Sequence, residues 1–298
     1  MTSPIELVGV TKCYGEHVAV RDVSFALEAG KTVALVGHNG AGKSTLIKLM
    51  LGVTRPSAGA VRVLGIDPVS SGPTLRRRLG FLPENVAFHP ASTGREALDF
   101  FARLKGEPIS ANMALLERVG LAAAADRRIG AYSKGMRQRL GLAQALIGSP
   151  DILFLDEPTT GLDPALRRRF YEILGQLRNR GVTVLLSSHA LSELQGNADR
   201  VLVLNAGALI ADGSLSALRN LARLPVRISV CAAHGTPDLG LEWREIEEGR
   251  VTRVCEPGEK MAVLKTLLPR LDPADALEID EPGLDDLYAH FLGGEVEQ

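Results

Sequence analysis

The sequence predicts an α/β protein built on a mostly parallel sheet, with a helical insertion inside that sheet and a small α/β domain after it. Three observations carry this expectation. Over most of residues 1–224, short β-branched and aliphatic runs alternate with segments of helical periodicity, the pattern of βα units whose strands lie side by side and are covered on both faces. The alternation stops between about 86 and 150, where the spacing of apolar residues is helical throughout. Past Pro225 strand-like runs return in a shorter cycle, which predicts a separate domain over 225–298.

From Ile5 to Leu27 the apolar runs on either side of Tyr14-Gly15 read as two antiparallel strands, and Thr32–Val36 reads as a buried strand ending at Gly37. A helix follows from Lys43 to about Leu51, with strands at Ala60–Leu64 and Leu79–Leu82. In the insertion, Thr93 is a cap for a helix over Arg95–Leu104, and Ala111–Val119 and Gly135–Ile147 supply two more. Alternation resumes with strand Ile152–Leu155, helix Pro164–Arg180, strand Thr183–Leu186, helix Ala190–Gln195 and a hairpin of Val201–Leu204 with Leu209–Asp212. After a helix near Leu215–Leu221, the last domain carries strands at Val226–Cys231 and Val251–Cys255 and a helix at Met261–Leu271.

Composition narrows the class. With 45% hydrophobic and 23% charged side chains, the 298 residues suit one large domain and one small one, neither disordered nor fibrous. The 34 basic and 35 acidic residues leave a net charge of −1, so no global attraction to nucleic acid or anionic lipid follows, and no nucleic-acid partner is expected. Cys13, Cys231 and Cys255 are scattered, without metal-ligand spacing, and read as structural thiols of a reducing compartment. No basic start followed by an apolar stretch is seen, and no apolar run approaches the ~20 residues needed to span a bilayer. The expectation is a cytoplasmic protein; if it serves transport, the pore belongs to another chain.

The strongest local signal is Gly37-His38-Asn39-Gly40-Ala41-Gly42-Lys43-Ser44-Thr45, a phosphate-binding loop between a predicted strand and a predicted helix. Its glycines let backbone N–H groups turn toward phosphate oxygens, the following helix adds the positive end of its dipole, Lys43 reaches the outer phosphates, and Ser44 is left for Mg²⁺. Downstream, the apolar strand Ile152–Leu155 ends in Asp156 and Glu157. Alone, two acids after a strand often mark a loop. Paired with the phosphate loop, Asp156 is the candidate to hold Mg²⁺ through water, and Glu157 the general base that takes a proton from attacking water. His189, in Ser187-Ser188-His189 after another core strand, is a candidate contact for a γ-phosphate, although a lone histidine is more often structural.

Tyr132-Ser133-Lys134-Gly135-Met136-Arg137-Gln138-Arg139-Leu140, just ahead of the Asp156 strand, resembles the signature motif of the ABC ATPases. The resemblance covers Ile5 to about Leu221: Tyr14 is similar to the aromatic residue that stacks on adenine, Glu84 stands at the Q-loop, Gly161-Leu162-Asp163 at the D-loop and His189 at the H-loop. It implies ATP and Mg²⁺ as ligands, with Ser44, Glu84 and Asp156 toward the metal, and hydrolysis of ATP with Glu157, His189 and Lys43 as the catalytic set. It also implies a homodimer, in which Ser133, Lys134 and Gly135 of one cassette meet the γ-phosphate held by Gly37–Thr45 of the other. A serine just ahead of a helix suits that task, because a helix N-terminus attracts anions.

Two departures stand out: Glu84 replaces the usual glutamine, and Lys134 and Met136 replace the commonest glycine and glutamine. These same phrases, with Ala102–Gly106 and Asp280–Tyr288, are similar to the ATPases of copper-processing transporters that mature nitrous oxide reductase. That resemblance implies an integral membrane subunit and a periplasmic protein as partners, and a place on the inner face of the cell membrane. Two other readings stay open: the ATPase of a drug, lipid or polysaccharide exporter, and a soluble ATPase acting on ribosomes or DNA. The last expects two cassettes or a long coiled-coil insertion, and the sequence has one phosphate loop and neither insertion.

Overall fold

The computed structural model describes residues 3–189, 191–232, 239–240, 242–247 and 249–293. By packing the chain forms two compact units, residues 1–212 and 213–298.

The first unit begins with β1 (Ile5–Tyr14) and β2 (His17–Leu27), joined by a tight turn, then β3 (Thr32–Val36), α1 (Lys43–Met50), β4 (Ala58–Val63), α2 (Gly72–Arg77) and β5 (Leu79–Leu82). The insertion holds α3 (Gly94–Lys105), α4 (Asn112–Arg118) and α5 (Lys134–Ala145). The sheet resumes with β6 (Ile152–Leu155), α6 (Pro164–Asn179), β7 (Thr183–Ser188), β8 (Arg200–Asn205) and β9 (Ala208–Gly213). Six of these strands form one sheet in the order β5-β6-β7-β3-β8-β9, and the pairs β5/β6, β6/β7, β3/β7 and β3/β8 are all parallel. Strands β2, β1 and β4 form a separate antiparallel sheet. Both sheets bury side chains against α1, whose Leu46, Ile47, Leu49 and Met50 are wholly inaccessible. A helix apolar on so many sides is stable only when enclosed, which makes the helix that opens at Lys43 the centre of the core.

Thr93 does cap α3: its hydroxyl accepts from Glu96 N at 3.2 Å while the Glu96 carboxylate accepts from Thr93 N at 2.8 Å, and Gly106, at φ 76°, ends the helix. Between Leu186 and Arg200, the expected helix over Ala190–Gln195 is a short 3₁₀ turn, Leu191–Leu194, and Ala190 lies outside the described residues. Helix α2 was not anticipated, since its Gly72-Pro73 start reads as a turn.

The second unit runs α7 (Leu215–Ala222), β10 (Val226–Cys231), β11 (Arg244–Glu247), β12 (Arg250–Cys255), α8 (Lys260–Leu267), β13 (Ala276–Asp280) and α9 (Leu284–Phe291). Its antiparallel sheet has the order β11-β12-β10-β13, and Val226, Ile228, Val230, Val251 and Cys255 pack on Val263, Leu264 and Leu267 of α8. The unforeseen strands, β11 and β13, are the two edges; their largely exposed side chains give no burial periodicity to read. Arg219 ties α7 to the start of α9, donating to Pro282 O at 2.7 Å and pairing with Glu281 at 2.7 Å. All three cysteines are free thiols. Among the described residues no helix is long and apolar enough to cross a membrane.

Candidate nucleotide site

Because β6, β7 and β3 are adjacent and parallel, the loops that follow them emerge at one edge of the sheet, with Leu155 beside Leu186 and Val36 beside Ser188. There they line a cleft of about 560 Å³ walled by His38 to Thr45, Glu84, Asp156, Glu157 and His189, together with His17, Ala19 and Thr160. This edge is where ligands bind in open α/β sheets.

The glycine loop is built to its shape. Gly42 caps α1 at φ 103°, and a Cβ there would lie 2.6 Å from Ala19 O; a Cβ on Gly37 would lie 2.7 Å from Leu204 O. Neither position admits a side chain. Lys43 is buried, with its ammonium donating to Gly37 O at 2.5 Å and His38 O at 3.3 Å. The same ammonium stands 3.8 Å from a carboxylate oxygen of Glu157.

The two carboxylates are held differently. Asp156 Oδ1 accepts a 2.6 Å hydrogen bond from the Ser187 hydroxyl, whose oxygen accepts in turn from Glu157 N at 2.9 Å. Glu157 has φ 49°, a left-handed conformation that costs a residue with a Cβ on the order of 1–3 kcal/mol and persists only where neighbours over-determine it. Its other carboxylate oxygen lies 2.7 Å from His189 Nδ1. A cationic Lys43 on one side and an imidazole on the other leave this carboxylate beside the phosphate loop, where it can orient and deprotonate a water.

Six expected residues lie away from the lining of this cleft: Gly37, which opens the glycine loop, and Tyr14, Ser133, Lys134, Gly135 and Asp163. Tyr14 is exposed at the turn opposite His17, with the Lys12 ammonium 4.8 Å from its ring centre. Ser133 caps α5, its hydroxyl accepting from Met136 N at 3.2 Å. The aliphatic stem of Lys134 lies on Gly161, where a Cβ would come within 2.9 Å of it, and Gly135 faces Leu162 and Leu166. Asp163 caps α6 by accepting from Leu166 N at 2.9 Å. The N-terminal turn of α5 is thus docked on the loop that follows Glu157.

Sequence reasoning missed Ser187, the residue that links the Asp156 carboxylate to the backbone N–H of Glu157. Its signal was present: a hydroxyl inside the fully buried strand β7 must have a partner. His17, Ala19 and Thr160 reach the cleft only through the fold and carry no such mark.

A parallel sheet with a glycine loop opening its central helix, and an acidic pair on the neighbouring strand edge, defines a P-loop nucleotide-binding protein. Residues 20–160 match the family model described as ABC transporter. The chain is 40% identical over 220 residues to Nod factor export ATP-binding protein I of Burkholderia lata, covering 72% of each chain. It is 38% identical over 220 residues to doxorubicin resistance ATP-binding protein DrrA of Mycobacterium tuberculosis, covering 72% of this chain and 66% of that one. Among solved structures, an ATP-binding subunit of an ABC transporter superposes with a TM-score of 0.69 at 29% identity, over 74% of this chain and 93% of that one. The chain belongs to the ABC transporter family as an ATP-binding ATPase subunit.

Proposed function

We propose that this chain energises a separate membrane subunit by closing, two copies together, on ATP and reopening after hydrolysis. The observation that carries the reading is the division of the expected site. Lys43, Glu84, Asp156, Glu157 and His189 share one cleft, whereas Ser133–Gly135 present a helix N-terminus outside its lining, available to a second copy. In this reading the loop Gly37–Thr45 cradles the phosphates, Lys43 neutralises the outermost of them, Tyr14 takes the adenine and Glu157 accepts the proton of the attacking water while His189 holds its carboxylate in place. Ser44, Asp156 and Glu84 are oxygen donors suited to Mg²⁺, which supplies charge neutralisation of the phosphates when bound. The nucleotide-binding region is assigned to 1–224, with its helical part at about 86–150, and 225–298 to an accessory domain, although α7 packs with the second unit.

The experiment is direct. Glu157→Gln should keep ATP binding, nearly abolish turnover and give an ATP-dependent dimer on sizing; hydrolysis near the wild-type rate would remove Glu157 from the role of base. Ser133→Arg should leave ATP binding by the single chain intact and abolish that dimer, and a dimer that persists would refute the two-copy site.

Within the family, we propose a NosF-like role in copper-site assembly of nitrous oxide reductase, with a NosY-like membrane subunit and a NosD-like periplasmic protein as partners and the chain on the inner face of the membrane. The support is the likeness of the phrases around Glu84, Ala102–Gly106, Lys134 and Asp280–Tyr288. The second reading, the ATPase of a drug, lipid or polysaccharide exporter, is favoured by the relatives at 38–40% identity, which are named for Nod factor export and doxorubicin resistance. Co-expression with the neighbouring membrane gene tests the shared part, since failure to form a detergent-stable complex counts against transport. A nitrous oxide reductase gene alongside supports the first reading over the second.

A further inference from the structure

The strained turn at Glu157 is held on its N-terminal side by Ser187, through the 2.9 Å bond to Glu157 N. Its C-terminal side is held from the insertion. Gln138, in the second turn of α5 and only 4% exposed, donates from Nε2 to Pro158 O at 3.2 Å. Proline has no N–H, so its carbonyl is the first hydrogen-bonding backbone group beyond Glu157 itself. A buried amide holding this carbonyl therefore restrains the backbone on the C-terminal side of Glu157, beside the 3.3 Å bond from Thr160 N to Glu157 O. Neighbouring contacts reinforce the link, for Gly135 faces Leu162 and the Lys134 stem covers Gly161.

We propose that Gln138 is a positioning residue for Glu157. It locks the helix whose N-terminus carries Ser133–Gly135 to the turn that carries the proposed base, so that movement of one is movement of the other. Given the two-copy site on which this part rests, engagement of Ser133–Gly135 by a partner's nucleotide is transmitted through Gln138 to the chain's own Glu157, and hydrolysis at the two sites is coupled. The effect belongs to turnover rather than to ATP affinity, because Gln138 is not among the residues lining the cleft.

The test uses the full-length chain. Gln138→Met keeps the length of the side chain and removes the donor; kcat is expected to fall about tenfold, equivalent to about 1.4 kcal/mol in the barrier, with the KM for ATP within about twofold of wild type and the Hill coefficient for ATP reduced toward one. Introduced into Glu157→Gln, the same change should leave the ATP-dependent dimer intact on sizing. Gln138→Glu, which sets a carboxylate against the Pro158 carbonyl, should lower kcat further at unchanged KM, and it is read by the same criteria if the methionine variant loses its circular dichroism. A wild-type kcat in a folded variant overturns the proposal. So does a loss of turnover matched by a rise in KM, or failure of Gln138→Met/Glu157→Gln to dimerise where Glu157→Gln does, since Gln138 would then act on binding or assembly. If Glu157→Gln itself stays monomeric in ATP, the two-copy site fails, while the kcat-against-KM split still decides the role of Gln138.

Discussion

Ser187→Ala removes one oxygen from a residue with no solvent exposure, and the structure says what is lost. The hydroxyl donates to Asp156 Oδ1 at 2.6 Å and accepts from Glu157 N at 2.9 Å. A hydrogen bond to a carboxylate contributes about 1.5–3 kcal/mol, and an N–H left buried without an acceptor costs about 1–3 kcal/mol. The two losses share an atom and do not simply add, so a destabilisation of about 3 kcal/mol is expected. For a unit of 212 residues this corresponds to a fall in Tm of roughly 6–12 °C. The assay is thermal unfolding without nucleotide, followed by far-UV circular dichroism and, in parallel, by the emission of Trp243. That residue is the chain's one tryptophan and belongs to the second unit, so its emission follows that unit's unfolding separately. ATP turnover should fall as well, because the backbone N–H of Glu157 loses its acceptor. A Tm within about 2 °C of wild type would refute the reasoning, because it would mean that neither bond contributes measurably.

Gly42→Ala should abolish ATP binding and lower stability by about 1–2 kcal/mol or more, since the residue sits at φ 103° and its new Cβ meets Ala19 O at 2.6 Å; equilibrium nucleotide binding and urea unfolding read the two effects. Tyr171 is half-buried with its hydroxyl 3.4 Å from Glu193, and desolvation first, then that carboxylate, raises its pKa above the ordinary 10.0. Its contribution to stability is complete below pH 10.0, where folded and unfolded chains both hold the proton, and is lost as pH rises further, because only the unfolded chain ionises. Tyr171→Phe should flatten this alkaline loss in urea unfolding between about pH 9 and 11, and an unchanged slope would refute the assignment.

Much of the fold was legible because the parallel strands are continuous apolar runs and the helices carry caps that act over three or four residues. Thr93 with Glu96, Ser133 ahead of α5 and Asp163 ahead of Pro164 are signals of that local kind. The second unit was half legible: buried β10 and β12 stand out, whereas the exposed edges β11 and β13 acquire their identity only by pairing with them. The glycine loop and the acidic pair were legible for a different reason, since phosphate chemistry requires particular residue types at short fixed spacing.

The amino-acid sequence by itself determined the residues able to cradle a phosphate, the strand that delivers Asp156 and Glu157, and the family signature at Ser133–Gly135. Only the tertiary structure decided that Ser187 clasps one carboxylate and the backbone of the other, that Gln138 anchors Pro158, and that His17 and Thr160 face the same cleft. The physical reason is range. Caps, glycine turns and strand periodicity are set by neighbours a few residues away, whereas the partner of a buried hydroxyl or amide is chosen by packing across 31 residues for Ser187 and Asp156 and 20 for Gln138 and Pro158. A sequence announces that such a group needs a partner, and the fold supplies which one.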